Sequence, residues 1–442
     1  MPQRIDAMIC PRWTVAVEPD ITPQRDLALA IDNGRIVALL PRAEAERRFA
    51  PDALHERPDH VLLPGLVNAH CHAGMTLFRG YADDMPLDRW LTERIWPAES
   101  KWVGPEHVRD GTRLAIAEML RGGTTCFSDM YYFPDVVAET AIEAGIRAVV
   151  GMIAIEFPTP WAADPDEYIS KGIAVHDRHR HSPLITTTFA PHAPYTVSDQ
   201  TLSRIRQLAD ELEVPIHTHV HETAAEIAEA LEKTGQRPLA RLERLGLLTP
   251  ALTAVHATQL LDAEIEALAT AGATVVHCPR SNLKLASGAC PVARLLDAGV
   301  NVALGTDGAA SNNRLDLWSE LSTAALFGKW VAGDATAVPA PAAIRMATIN
   351  GARAVGLEHE IGSLIEGKAA DLVCVEMTDF ALQPVLDPLS HLVYSASRDH
   401  VSDVWVAGVH LVSQRELLRM DAEAISARAA DWGRRLIEGA GT

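Results

Sequence analysis

Short apolar runs alternate with amphipathic stretches through the middle of the chain. The runs cover 61–66, 124–127, 148–153, 184–189, 214–218, 252–255, 274–276 and 300–304. Between them the apolar positions return with helical spacing, as in 108–121, 136–144, 199–211, 224–234 and 262–271. Strands buried on both faces read as continuous apolar runs, and alternation with helices implies a parallel sheet. Eight such units predict an α/β fold of the (β/α)8 TIM-barrel type. An open doubly wound sheet is the alternative. It is weakened because no G-x-G-x-x-G follows an early strand.

The two chain ends follow another rhythm. Strands are expected at 6–10 and 26–31, and Asn33-Gly34 marks a tight hairpin before 35–38. The tail repeats short strand-like segments at 370–375 and 404–408. The two β-rich ends are therefore expected to pair in one small composite β-sandwich. The predicted division is 1–60 for its first part, 61–360 for the barrel, and 361–442 for its second part plus a terminal helix.

Composition narrows the partners. Of 442 residues, 48% are hydrophobic, enough for a sizeable core, and the formal net charge is -19. Such an acidic chain is repelled by nucleic acid and by anionic membranes, so neither is expected as a partner. The six cysteines are scattered and form no C-x-x-C pair, which fits a reducing compartment. The first residues lack the apolar stretch of a signal peptide, and no apolar run is long enough to span a bilayer. A cytoplasmic enzyme with a small-molecule substrate is expected.

Polar residues cluster where a barrel builds its active site, at the C-terminal ends of the strands. His70 and His72 follow the first run and Asp129 the second. His192 follows the fourth, in A-P-H-A-P-Y-T. The fifth gives His217, His219, His221 and Glu222, the sixth His256, the seventh His277, and the eighth Asp307. Any one such histidine is an ordinary structural residue, but in a closed barrel these ends converge. Residues two apart on a strand face the same side, so His70 and His72 can both point inward. Three imidazoles and a carboxylate suit one divalent cation, Zn2+ or Fe2+, with a position open for water. His217, His219 and His221 share a parity, and at most one or two of them can reach one ion. Glu222 stands beside the cluster, placed for proton transfer or for capping the next helix.

These residues also carry a likeness. P-G-L-V-N-A-H-C-H, P-H-A-P-Y-T, H-V-H-E-T, V-H-A-T, L-G-T-D-G-A-A-S-N-N and the segment 75–91 resemble the amidohydrolase superfamily. They resemble most its methylthioadenosine/S-adenosylhomocysteine deaminase branch, near the chlorotriazine hydrolases. The resemblance spans nearly the whole chain. It implies His70, His72, His219 and Asp307 as ligands of one metal ion, Zn2+ ahead of Fe2+. It implies that Glu222 moves a proton to the purine ring nitrogen, that His256 hydrogen-bonds the attacking hydroxide, and that Asp307 takes the proton water loses. Glu99 is similar to the family's ribose-binding glutamate and His192 to its substrate-binding histidine, with Ser311 a further candidate for substrate contact. Binuclear relatives carry a lysine after the fourth strand; 185–195 has none, so one ion is implied. Where the branch often has an arginine after strand three, this chain reads G-M-I-A-I-E-F-P-T-P-W, which fits an uncharged alkylthio tail better than a carboxylate-bearing one.

The implied reaction is hydrolytic deamination of an adenine nucleoside at C6, 5′-methylthioadenosine foremost, with adenosine and S-adenosylhomocysteine as further substrates. A homodimer or larger assembly is also implied. The P-C-x-x-C of the cytidine-type zinc deaminases is missing, which points to free nucleosides. Two rivals are kept: hydrolysis of another heteroaromatic ring (guanine or an s-triazine), and a non-catalytic barrel serving as a binding module.

Overall fold

Pro64 and Gly65 divide an apolar stretch between two different sheets. In the computed structural model, which describes residues 1–440, Phe49–Pro64 is a long strand of a mixed sheet and Leu66–Cys71 is the first barrel strand. The expectation of a first barrel strand at 61–66 is corrected here. Residues Val61 to Pro64 pair antiparallel with Leu372 to Val375 instead. Both sheets bury this stretch on two sides, so its apolar character does not reveal which one it joins.

The remaining barrel strands are Thr124–Asp129, Arg147–Ala154, Ile185–Pro191, Ile216–Val220, Leu252–His256, Thr274–His277 and Asn301–Leu304. They lie side by side in chain order, each parallel to the next. The ring is nearly closed. Where strand eight returns to strand one, the Asp307 N–H donates to the His70 carbonyl at 3.0 Å. Gly305 permits this approach, since a Cβ there would stand 2.8 Å from His70 Cβ and 2.9 Å from its carbonyl oxygen.

The connecting helices follow local signals. Pro105–Arg121 and Pro134–Ala144 begin somewhat earlier than the periodicity predicts, because proline at the first helical position needs no N–H partner. Ala224–Thr234 and Asp262–Ala271 run as expected.

Strands from both chain ends form one nine-stranded mixed sheet. Its hairpin at Asn33-Gly34 has both residues at positive φ, 49° and 75°, as the primed turns demand. Separate apolar clusters lie on the sheet, one including Ile9, Leu29, Leu62 and Trp405, the other Ile5, Met8, Ala30 and Phe49. The terminal helix Ala422–Ala440 lies against Pro105–Arg121, where Trp432 Nε1 donates to Asp110 at 2.8 Å. Gly441 and Thr442, within the predicted last unit, lie outside the described residues. All six cysteines are buried and free. Among the described residues no helix is long and apolar enough to cross a membrane.

A buried ion pair joins barrel to sheet. Arg147, opening strand three, reaches Asp371 at 3.1 Å, and both side chains are almost wholly enclosed. Asp371 also accepts from the Ala407 N–H at 2.8 Å. Removing one partner of such a pair strands the other charge. Asp371→Ala is expected to cost about 3–5 kcal/mol, read as a fall in the denaturant midpoint.

Candidate functional site

Four cation-seeking groups meet at the mouth of the barrel. His70 ends strand one, His72 follows it, His219 lies in strand five, and Asp307 sits just past strand eight with φ 60°. His70 Nε2 and His219 Nε2 stand 3.1 Å apart. Asp307 Oδ1 lies 3.1 Å from His72 Nε2 and 3.5 Å from His70 Nε2. One ligand atom from each of the three histidines falls within 4.8 Å of the others.

The opposite ring nitrogens fix the tautomers. His72 Nδ1 donates to the Met130 carbonyl at 2.6 Å, and His219 Nδ1 donates to the His192 carbonyl at 2.8 Å. His70 Nδ1 lies 2.8 Å from His217 Nε2 and, as donor there, leaves its own Nε2 bare. Burial holds His70 down at about 4 and His219 well below the usual imidazole range, so both are neutral. Burial also opposes charge on His72, but the Asp307 carboxylate outweighs it and lifts His72 to about 9. Lone pairs facing one another beside a carboxylate demand a positive charge between them. A proton on His72 answers only one of these groups; a divalent cation answers all four. The donor set therefore fits a metal ion of the N3O type.

Around this core stand the other groups. Glu222, buried after strand five, has its carboxyl pushed up by burial. Its Oε2 lies 3.8 Å from His256 Nε2, and His256 Nδ1 donates to Asn282 Oδ1 at 2.8 Å. Thr223, not Glu222, caps the following helix, accepting from the Glu226 N–H at 3.1 Å. Glu226 in turn accepts from the Glu222 N–H at 2.7 Å, which leaves the Glu222 side chain free of the helix end. Glu99 accepts from the Tyr131 hydroxyl at 2.9 Å and the Tyr132 hydroxyl at 3.4 Å, and burial raises it to about 7. His192 pairs through Nδ1 with Thr196 Oγ1 at 2.9 Å; burial lowers it to about 3. Ser311 donates to Asp307 Oδ2 at 2.7 Å.

Three further strand-end residues stay apart. Asp129 accepts from the Ala73 N–H at 2.6 Å and steadies the turn after His72. His221 turns away, its Nε2 accepting from the Leu239 N–H at 3.0 Å. His277 is buried, and its carbonyl receives the Gly305 N–H. His217 sits deeper, behind His70, as its inward parity implies. The sequence reading missed Asn282, Ser281, Tyr131 and Tyr132. The tyrosine pair one residue beyond the Asp129 strand end, separated from it by Met130, was the one visible signal.

His72, Glu99, His192, His219, Glu222, His256, Asp307 and Ser311 line one narrow cavity. It meets a wider outer hollow of about 1220 Å3, and the two share Leu87, Leu91, Trp96, Phe157, Tyr195 and Leu285. The converging His72 and His219, with Glu222 and Asp307, line the narrow inner part, not the wide outer one.

Glu99 also predicts a pH effect. Its folded-state pKa lies above the ordinary 4.5, so between there and about 7 the folded chain holds more protons than the unfolded one. Stability contributed by this group therefore falls as pH rises through that window. Glu99→Gln should flatten the fall and gain about 3 kcal/mol at pH 8 but little at pH 4, measured by denaturant unfolding at both pH values.

Comparison with known proteins gives the same direction. The Amidohydrolase family model matches residues 61–411. A protein of Teredinibacter turnerae named 5-methylthioadenosine/S-adenosylhomocysteine deaminase is 51% identical, covering 98% of each chain. A solved adenosine deaminase from Xanthomonas campestris with bound zinc is 53% identical, with a TM-score of 0.98 over 99% of this chain and 100% of that one. A triazine hydrolase from Arthobacter aurescens is 25% identical, with a TM-score of 0.89 over 96% and 99%.

Proposed function

Because this chain belongs to the amidohydrolase family, we propose that it hydrolytically deaminates an adenine nucleoside at C6. The foremost substrate is 5′-methylthioadenosine, giving 5′-methylthioinosine and ammonia; adenosine and S-adenosylhomocysteine are the further ones. The observation that carries this reading is the meeting of three imidazole nitrogens and Asp307 Oδ1 beside a buried Glu222 whose proton affinity burial raises.

His70, His72, His219 and Asp307 would hold one divalent cation, and the zinc bound in the Xanthomonas relative makes zinc the first choice. Such a cation lowers the pKa of water towards ~7 and so supplies hydroxide at neutral pH. The protein's own groups do the rest. Glu222, whose proton affinity burial raises, donates to the purine ring nitrogen as C6 is attacked. His256, its Nδ1–H fixed by Asn282, turns Nε2 toward the attacking oxygen. Asp307 takes the proton that water gives up on the oxygen that Ser311 frees by turning its hydroxyl to the Gly308 carbonyl, 3.1 Å away, and passes it on to the departing amine. Glu99 faces the ribose hydroxyls, oriented by its two tyrosines, and His192 contacts the nucleoside from strand four. The apolar screen of Leu87, Leu91, Trp96 and Phe157 suits an alkylthio tail at the 5′ position. The same reading makes the protein a cytoplasmic enzyme working as a homodimer or larger, a state that light scattering measures directly.

A substrate panel tests it: methylthioadenosine, adenosine, S-adenosylhomocysteine, guanine and a chlorotriazine, scored for ammonia or chloride. A site built to bond ribose hydroxyls rejects rings lacking them by ~10⁴-fold. Faster turnover of guanine or the triazine than of any nucleoside would overturn the reading.

A further inference from the structure

The Asp307 carboxylate is almost fully engaged. A carboxylate offers about four lone-pair sites, two on each oxygen. On Oδ2 both are taken: Ser281 Oγ donates at 2.6 Å and Ser311 Oγ at 2.7 Å. On Oδ1 one is taken by the Gly308 N–H at 2.8 Å. The remaining site on Oδ1 is the one facing His70 and His72. Ser281 lies on the short helix after strand seven and Ser311 on the short helix after strand eight, so two separate segments grip one oxygen. Ser281 is wholly buried and Ser311 nearly so, and water does not substitute readily for either hydroxyl. Ser311 also lies 3.1 Å from the Gly308 carbonyl, but its single proton goes to the nearer, charged oxygen.

We propose that Ser281 and Ser311 are paired positioning residues that saturate Asp307 Oδ2, so that Asp307 meets the cation through Oδ1 alone. The proposal rests on the reading that Asp307 holds the cation. The clamp prevents the carboxylate from rotating and keeps Oδ1 turned toward His70 and His72. Partners that orient a metal-holding group in this way are typically worth ~10- to 100-fold in metal affinity.

The test is competitive removal of zinc from the zinc-loaded protein by a chromophoric chelator. Ser281→Ala and Ser311→Ala should each weaken zinc binding, and the pair together by about 10- to 100-fold. Ser311→Thr keeps a hydroxyl and should restore affinity. The zinc-free melting temperature of each single variant should stay near that of the parent, a result that a merely structural role would not give. The serine substitutions are then repeated on Asp307→Ala, where they should have no further effect. If Asp307→Ala itself leaves zinc affinity unchanged, the underlying reading fails and the proposal with it. If Asp307→Ala weakens binding but the serine variants do not, the proposal alone fails. It also fails if the serine variants weaken zinc equally with and without Asp307.

Discussion

Replacing Glu222 by glutamine is expected to lower kcat by at least two decades while zinc content stays at that of the parent. General acid–base groups contribute ~100- to 10,000-fold, and an amide of the same shape cannot give up a proton. The environment supports this size of effect. The carboxyl is buried, its proton affinity is raised by that burial, and the next helix takes its cap from Thr223 and Glu226 instead. Substitution should therefore leave the backbone intact, because no hydrogen bond to the helix end depends on this side chain. Single-turnover kinetics with methylthioadenosine, alongside metal analysis, make the measurement. Near-parent turnover in a zinc-loaded variant would remove Glu222 from the mechanism.

Stripping the metal should cost more. Without a cation the four converging groups have only protons to share, and bulk water, with a pKa of 15.7, supplies almost no hydroxide at pH 7. Bringing that pKa towards 7 spans nearly nine decades, so a loss of at least ~10³-fold in turnover is a modest expectation. Re-addition of one equivalent of zinc per chain should restore activity, and a second equivalent should add nothing. The single ion expected here rests on the family resemblance, whose binuclear members carry a lysine at the end of strand four; in this chain that strand offers threonines, Phe189 and Ala190, and no lysine. Full activity of chelator-treated, metal-free protein would end the hydrolytic reading.

Much of this was legible before any geometry. Strands enclosed on both faces leave unbroken apolar runs, and His70, His72, His219, His256 and Asp307 stand out because ionisable groups rarely end so many runs by chance. The errors have physical causes too. Residues 61–64 are as apolar as a barrel strand, and only their pairing with 372–375 assigns them to the other sheet. Glu222 could have been a helix cap on sequence grounds, since a carboxylate suits either place; the Thr223 hydroxyl settles which residue caps. Ser281 and Asn282 were invisible because serine and asparagine occur everywhere. What gives them a role is that a short turn after strand seven brings one to Asp307 and the other to His256. The tyrosines beside Glu99 come from the loop after strand two, far from it in sequence, and no local pattern couples the two.

The last barrel strand meets the first at a joint with two functions. Asp307 lends its amide to the His70 carbonyl while its side chain faces the His70 ring, across the gap that Gly305 keeps narrow. Tertiary architecture and reactivity thus share one hinge pin. Replacing the Asp307 side chain keeps the amide that closes the ring and removes only the carboxylate, whereas a Cβ at Gly305 would pry the seam itself apart, and ion occupancy would act as a rivet across it.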